Sequence, residues 1–270
     1  MSYVSTILTV NFNSADFIGI NLYSLKKLTK NPYKVIILDN GSDIADYEKL
    51  KAICSGYDNC FLERRETDLR GSIAHGDALN YLVKKVDTPY FSILDADAIW
   101  LKKDWDEILA KQMDEKVKII GTQAPAGSPK YQDFPWLFAL YLESESFSKL
   151  DVDCRPGTGI ANDTCYQLKE KYLAAGYAGK NIEMRSTRTY KDGPFKDVIC
   201  GEYYLDGSPE IFASHFGRGS TGGAAKYNQG FKRFLYHLPV IGQAFLNFKG
   251  RQEKKAWLSI CKSIIDNQAK

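Results

Sequence analysis

The 270-residue chain contains no apolar run of the length a membrane span requires. Its six cysteines (Cys54, Cys60, Cys154, Cys165, Cys200, Cys261) never form a C-x-x-C pair. That scatter argues against a structural zinc site and suits reduced thiols in a cytoplasmic setting. Residues 1–10 lack a basic segment and alternate as a strand does, so a signal peptide is not expected. Internal repeats and low-complexity tracts are absent, which removes solenoid and fibrous classes. No G-x-G-x-x-G follows Val10, against a dinucleotide-dependent oxidoreductase. A net charge of +3 is too small to imply a nucleic-acid partner.

What is present is an ordinary globular composition, 44% hydrophobic and 26% charged, long enough to bury a substantial core. Charge is distributed unevenly. Residues 226–270 hold nine Lys or Arg against two acids, a balance of +7, which leaves −4 on residues 1–225. The expected organisation is therefore a domain over 1–225, divided near residue 100, with a basic, aromatic helical appendage over 226–270.

Strand and helix patterns alternate through the first hundred residues. Val4–Val10 reads as a strand ending in Asn11-Phe12-Asn13-Ser14, and a helix runs to Leu28 with Ser14 and Asp16 as candidate caps. Val35–Leu38 is a buried strand ending in Asp39-Asn40-Gly41-Ser42-Asp43, followed by a helix over 45–54 and a short strand near Phe61–Glu63. A polar turn at Asp68–Ser72 leads into a helix over His75–Val83, and Thr88-Pro89 introduces the apolar run Tyr90–Leu94. This alternation predicts an α/β fold with a mostly parallel sheet and flanking helices, whose ligands bind beyond the carboxyl ends of the strands. Asn11–Asn13, Asp39–Ser42 and Asp95–Asp97 should then share one rim. Further on, the pattern predicts a helix over Trp105–Met113 and a strand over Val117–Thr122. An aromatic strand or edge over Trp136–Leu142, a helix ending near Ala175 and irregular strands over Arg185–Asp206 complete the expected elements.

The run Tyr90–Leu94 delivers two carboxylates, Asp95 and Asp97, separated only by Ala96. Two acids at the end of a buried strand are costly unless something positive compensates them. A divalent cation bridging a diphosphate does so, because Mg²⁺ and Mn²⁺ take one or two carboxylates plus phosphate oxygens. Late in the chain, His215-Phe216-Gly217-Arg218-Gly219-Ser220 places an imidazole at a strand end entering a glycine-rich loop. Arg218, Ser220 and the loop backbone suit closure on phosphates.

The order of these parts resembles the family 2 glycosyltransferases of the GT-A fold over residues 3–221. The parts are Asn11-x-Asn13, Asp39–Asp43, the Arg70-Gly71…His75–Asn80 segment, Asp95-Ala96-Asp97, Asn162-Asp163-Thr164 and His215-x-Gly-Arg-Gly-Ser. The resemblance implies a nucleotide-sugar donor (UDP-, GDP- or dTDP-linked), a Mn²⁺ or Mg²⁺ cofactor and a glycan or lipid-linked acceptor. It further implies that Asp39, with Asn11, Asn13 and Gly41, receives the nucleobase. Arg70 and His75 serve the donor, Asp95 the ribose or metal, Asp97 the metal, and His215 a third metal position. Asp163 matches the family's catalytic base, although Asn162 stands where the family has a first acid, and with Thr164 and Gln167 close by Asp163 equally suits a helix N-cap. Inverting transfer needs such a base to deprotonate the acceptor hydroxyl, and Glu143 and Glu145 are its substitutes. A nucleotidyltransferase and a catalytically silent sugar-binding module are the alternatives.

The acceptor half offers Trp136, Phe138, Tyr141, Tyr203 and Tyr204, which suit either sugar stacking or a core. The basic, aromatic tail suits either peripheral contact with an anionic membrane or a helix packed on the domain.

Overall fold

The computed structural model describes residues 2–124, 127–128, 131–136, 138–157, 163–217 and 241–270. Branched apolar residues fill β1 (Ser5–Asn11), and every one of its residues is buried, as expected for a strand covered on both faces. The strand β2 (Tyr33–Asp39) pairs parallel on one side of it and β4 (Tyr90–Leu94) on the other, with β3 (Cys60–Arg64) outside β2. The helices α1 (Ala15–Leu28), α2 (Ile44–Cys54) and α3 (Gly71–Val83) make the crossovers. Ser14 sits at the head of α1, but its hydroxyl donates to the Phe12 carbonyl and makes no side-chain cap.

With β6 (Val117–Gly121), β7 (Ala139–Glu143) and β8 (Ala178–Asn181), the main sheet reads β3-β2-β1-β4-β7-β6-β8. The strand expected over Trp136–Leu142 starts only at Ala139. It lies inside the sheet, antiparallel to both β4 and β6, not at an edge. β8 had no counterpart in the sequence reading because Ala-Gly-Lys-Asn carries no branched or aromatic residue. A smaller antiparallel sheet, β5-β11-β10-β9, joins β5 (Ala98–Trp100), β9 (Glu183–Ser186), β10 (Gly201–Tyr204) and β11 (Ile211–His215). The irregular strands expected over Arg185–Asp206 thus condense into β9 and β10.

Short helices α4 (Trp105–Ala110), α5 (Ser144–Ser148) and α6 (Leu168–Ala174) follow. Because α6 begins at Leu168, Asp163 heads a series of turns and is not a helix cap.

The core lies on both faces of the main sheet, and neighbouring residues of β1 divide between them. Ile7 joins Phe17, Leu22, Trp100, Trp105 and Phe212, whereas Leu8 joins Ile36, Leu79, Phe91 and Tyr172. The last helix, α7 (Ile241–Gln268), lies on α1 and inserts Trp257, Cys261 and Ile265 into the first of these clusters. On the other face α3 lies so close to the 154–155 backbone that a Cβ on Gly76 would stand 2.3 Å from the Cys154 carbonyl oxygen. That approach holds the neighbouring His75 at the rim. All six cysteines are free thiols.

Candidate active site

Because β1–β4 are parallel, their carboxyl ends form one edge, and register places Asn11 beside Asp39 and Asp39 beside Arg64. Asp39 is fully buried. One of its oxygens accepts from Asn11 Nδ2 (2.8 Å), and the other accepts from the Ser42 N–H (3.3 Å) and lies 3.6 Å from Arg64 Nη1. These contacts hold the Asp39 carboxylate in place at the strand end and occupy only part of its capacity to accept hydrogen bonds. The turn around it is tight. Gly41 adopts φ +81°, a left-handed value natural to glycine, and Asn13 N–H donates to Ser42 Oγ (2.9 Å).

Arg64 and Arg65 were missed from sequence, although a basic pair closing a strand at the ligand edge was the available signal. Arg64 lies 4.4 Å over the Tyr47 ring, and Arg65 donates to Asn40 Oδ1 (2.8 Å) and pairs with Asp77 (2.9 Å). Among the described residues, each guanidinium keeps one buried nitrogen, Arg64 Nη1 and Arg65 Nη2, without a hydrogen bond. Arg70, at the head of α3, donates to the Thr67 and Leu69 carbonyls, at 2.9 and 3.1 Å.

The second group forms where the two sheets exchange a strand. β4 ends at Leu94, and the chain turns through Asp95–Asp97 with an Ala98 N–H to Asp95 carbonyl bond of 2.9 Å. It then enters β5, which pairs with β11 so that Ala98 faces His215. The Phe216 N–H donates to the Asp97 carbonyl (2.9 Å), tying the end of β11 to the turn. His215 Nε2 therefore stands 3.4 Å from Asp97 Oδ1. Asp95, Asp97 and His215 each offer a ligand atom, all within 4.8 Å of one another. Donors around one octahedral ion with bonds of about 2.1 Å stand roughly 3–4 Å apart, so two carboxylates and an imidazole fit Mn²⁺ or Mg²⁺.

His75 Nε2 approaches Asp95 Oδ1 from α3 at 3.8 Å. Although 24% of the Asp95 side chain stays accessible, protein crowds its carboxyl. The lost hydration pushes its pKa up, with Asp97 and Asp163 adding to the rise and His75 and His215 opposing it.

Asp95 opens onto a cavity of about 60 Å³ whose wall includes His75, Trp136, Phe138, Asp163, Thr164 and Cys165. The sequence-predicted Asp95, His75 and Asp163 thus meet at one cavity, with Asp97 and His215 beside it. Asn11, Asn13, Asp39 and Gly41 lie along the same rim outside that cavity. Arg218, Ser220 and Asn162 lie outside the described residues.

Glu143 and Glu145 are excluded as substitute bases by topology. β7 runs antiparallel to β4, so Glu143 pairs with Tyr90 at the far edge and binds Lys118 (2.7 Å), while exposed Glu145 binds Lys149. Of the candidate stacking aromatics, Trp136, Tyr141, Tyr203 and Tyr204 are at most 1% exposed and belong to the core. Phe138 alone of the five is half-buried, and its ring stacks on His215 with centroids 3.8 Å apart.

Residues 6–172, more than half of the chain, match the sequence model of a family described as glycosyl transferase family 2. A 92-residue stretch is 30% identical to the teichoic acid poly(glycerol phosphate) polymerase of Staphylococcus epidermidis, which covers 34% of this chain and only 12% of that protein. Among solved structures, a mannosyltransferase from Pyrobaculum calidifontis, in complex with GDP-Man and Mn²⁺, superposes with a TM-score of 0.51 at 18% identity. It covers 67% of this chain and 55% of its own. TarS 1–349 of S. aureus gives a TM-score of 0.49 at 13% identity over 66% of this chain and 57% of its own. The chain thus spans well under two thirds of each of these proteins.

Proposed function

The chain belongs to glycosyl transferase family 2, and on that premise we propose that it moves a sugar from a nucleotide-diphosphate donor to a hydroxyl of a glycan or lipid-linked acceptor, with inversion. The observation that carries this reading is the convergence of Asp95, Asp97 and His215 within 4.8 Å, beside a cavity that Asp163 also lines. Asp95, Asp97 and His215 would hold Mn²⁺ or Mg²⁺, which when bound would neutralise diphosphate charge.

The remaining roles fall to the chain's own side chains. The rim of Asn11, Asn13, Asp39 and Gly41 receives the nucleoside, with Asp39 accepting from the base and Arg64 and Arg65 donating at its edge. His75 and Arg70, together with Arg218 and Ser220, meet the phosphates. Asp163 takes the proton of the attacking acceptor hydroxyl at a carboxylate oxygen, a role general to acceptor activation and worth about 10²–10⁴-fold in rate. A nucleotidyltransferase is disfavoured because the turn after β1, Asn11–Ser14, has no glycine- and lysine-rich phosphate loop.

Peripheral membrane contact through 226–270 is part of the proposal. Phe245 and Phe248 on α7 are 37% and 51% exposed, with Lys249 and Arg251 beside them in the helix. No helix among the described residues is long and apolar enough to cross a membrane.

The test is thermal-shift titration with UDP-, GDP-, dTDP- and CMP-sugars, with and without Mn²⁺, followed by assay of donor hydrolysis. One nucleotide class should raise the melting temperature in a metal-dependent manner and be slowly hydrolysed. Stabilisation without any turnover favours a silent sugar-binding module, and the absence of both removes the proposal.

A further inference from the structure

We propose that Phe138 is a positioning residue for the ion site, holding the His215 imidazole and the Asp95 backbone in register with each other. The proposal rests on the reading of Asp95, Asp97 and His215 as ion ligands, and adds to it a residue outside the ligand set.

Three observations meet at Phe138. Its backbone takes φ +72°, a left-handed value that is a genuine outlier for a bulky side chain and persists only where the surroundings impose it. The surroundings here are identifiable. The Phe138 carbonyl accepts the Asp95 N–H at 2.7 Å, and the N–H of the same peptide unit, from Ala139, donates to Thr122 Oγ1 at 3.1 Å. Both ends of that peptide plane are thus pinned. The same residue lays its ring on the His215 imidazole, with centroids 3.8 Å apart and planes at 23°.

One strained residue therefore touches both elements that bring ligands together, the turn after β4 and the end of β11. The Asp97 carboxylate, 3.4 Å from Nε2, meets the imidazole on one side, and the Phe138 ring constrains it from another. His215 ends β11 in a register set by backbone bonds, and those bonds leave the torsions of its side chain free. Stacking on a ring whose own backbone is pinned selects the rotamer that points Nε2 toward Asp97. An ordered ligand loses less conformational freedom on binding an ion, which is how groups outside the ligand set commonly change metal affinity by about 10–100-fold. The stack also occupies one face of the Phe138 ring, so sugar stacking on that face is not available.

The test measures Mn²⁺ affinity of the full-length protein by electron paramagnetic resonance of free Mn²⁺, with no donor or acceptor present. The proteins are the wild type, F138Y, F138L, F138G and H215A. H215A should bind Mn²⁺ more weakly. F138Y, which keeps the ring, should stay near wild type, and F138L, which keeps bulk and the backbone constraint, should weaken about 10-fold or more. F138G, which relieves the φ constraint and removes the ring, should weaken as F138L does. In metal-free protein the His215 Hε1 resonance, assigned by its loss in H215A, should move in F138L and hold its ring-current shift in F138Y.

Wild-type affinity in F138L, or equal weakening in F138L and F138Y, overturns the positioning role. Unchanged affinity in H215A overturns the ion-site reading as well. Weakening in H215A with none in F138L removes only the inference about Phe138.

Discussion

Replacing Trp257 by alanine tests whether the C-terminal helix is part of the core or a detachable tail. Trp257 is fully buried, with ring centroids 5.6 Å from Phe17, 5.9 Å from Phe216 and 6.2 Å from Phe195. Its indole N–H donates to Ser214 Oγ at 3.0 Å, one residue before His215. Burying about 200 Å² of aromatic surface at roughly 25 cal/mol per Å² is worth about 5 kcal/mol. Measured Trp-to-Ala losses in cores run about 3–5 kcal/mol. W257A should therefore lose about 4 kcal/mol and melt roughly 8–16 °C lower, a large part of the usual 5–15 kcal/mol. W257F, which keeps the ring contacts and gives up the hydrogen bond, should lose nearer 1–2 kcal/mol. Equilibrium urea unfolding followed by circular dichroism reads both values, with the denaturant slope unchanged if the folded state stays the same. A loss below about 1 kcal/mol in W257A would refute the argument, because a helix that only rests on the surface leaves no cavity when its tryptophan is cut away.

Further outcomes follow from other contacts. D163N should lower transfer by about 10²–10⁴-fold while leaving nucleotide-diphosphate binding intact, and full activity would remove Asp163 as the base. Arg155, and after it Asn80, hold the Asp153 carboxyl well below the usual carboxylate range. A depressed acid adds stability above its unfolded value, 3.8, and loses it as pH falls through the folded one. R155A should accordingly be slightly less stable than wild type at pH 7, the effect being small for an exposed pair, and the difference should narrow as pH falls from 3.8 toward 2. An equal deficit at both pH values contradicts this. G76A should destabilise by about 1–3 kcal/mol despite alanine's better helix propensity, because its Cβ would meet the Cys154 carbonyl; a more stable variant would show that α3 is not wedged there. The triple variant K249E/R251E/K255E should lose co-sedimentation with anionic vesicles but not its fold, and unchanged sedimentation rules out this face as the membrane contact.

Much of the donor half was legible because its signals are local. Buried parallel strands announce themselves as short branched runs, and each of β1, β2 and β4 ends in a polar group where the pattern stops. Parallel strands joined by helices must place those ends on one edge, so the shared rim followed from the alternation alone. The less legible parts depend on partners distant in sequence. Asp39 reads as a rim acid, but its neighbour Arg64, 3.6 Å away on the next strand, could not be paired with it along the chain. Asp163 reads as a helix cap, yet α6 starts later and leaves it in turns beside Asp95. Glu143 reads as a spare base, but the antiparallel course of β7 carries it to the opposite edge.

The sequence by itself determined the class of fold, the carboxylate pair at the end of a central strand, and the residue types able to hold an ion. Tertiary structure alone decided that β5 leaves the main sheet to pair with β11, which carries His215 across 118 residues to Asp97. It likewise decided that Phe138 lies against that imidazole, and that α7 closes the core through Trp257. The physical reason is the range of the forces. Alternation and turn chemistry act over a few residues and can be read along the chain. Register between strands and the fit of rings in a core are instead settled by burial among segments that only folding brings together.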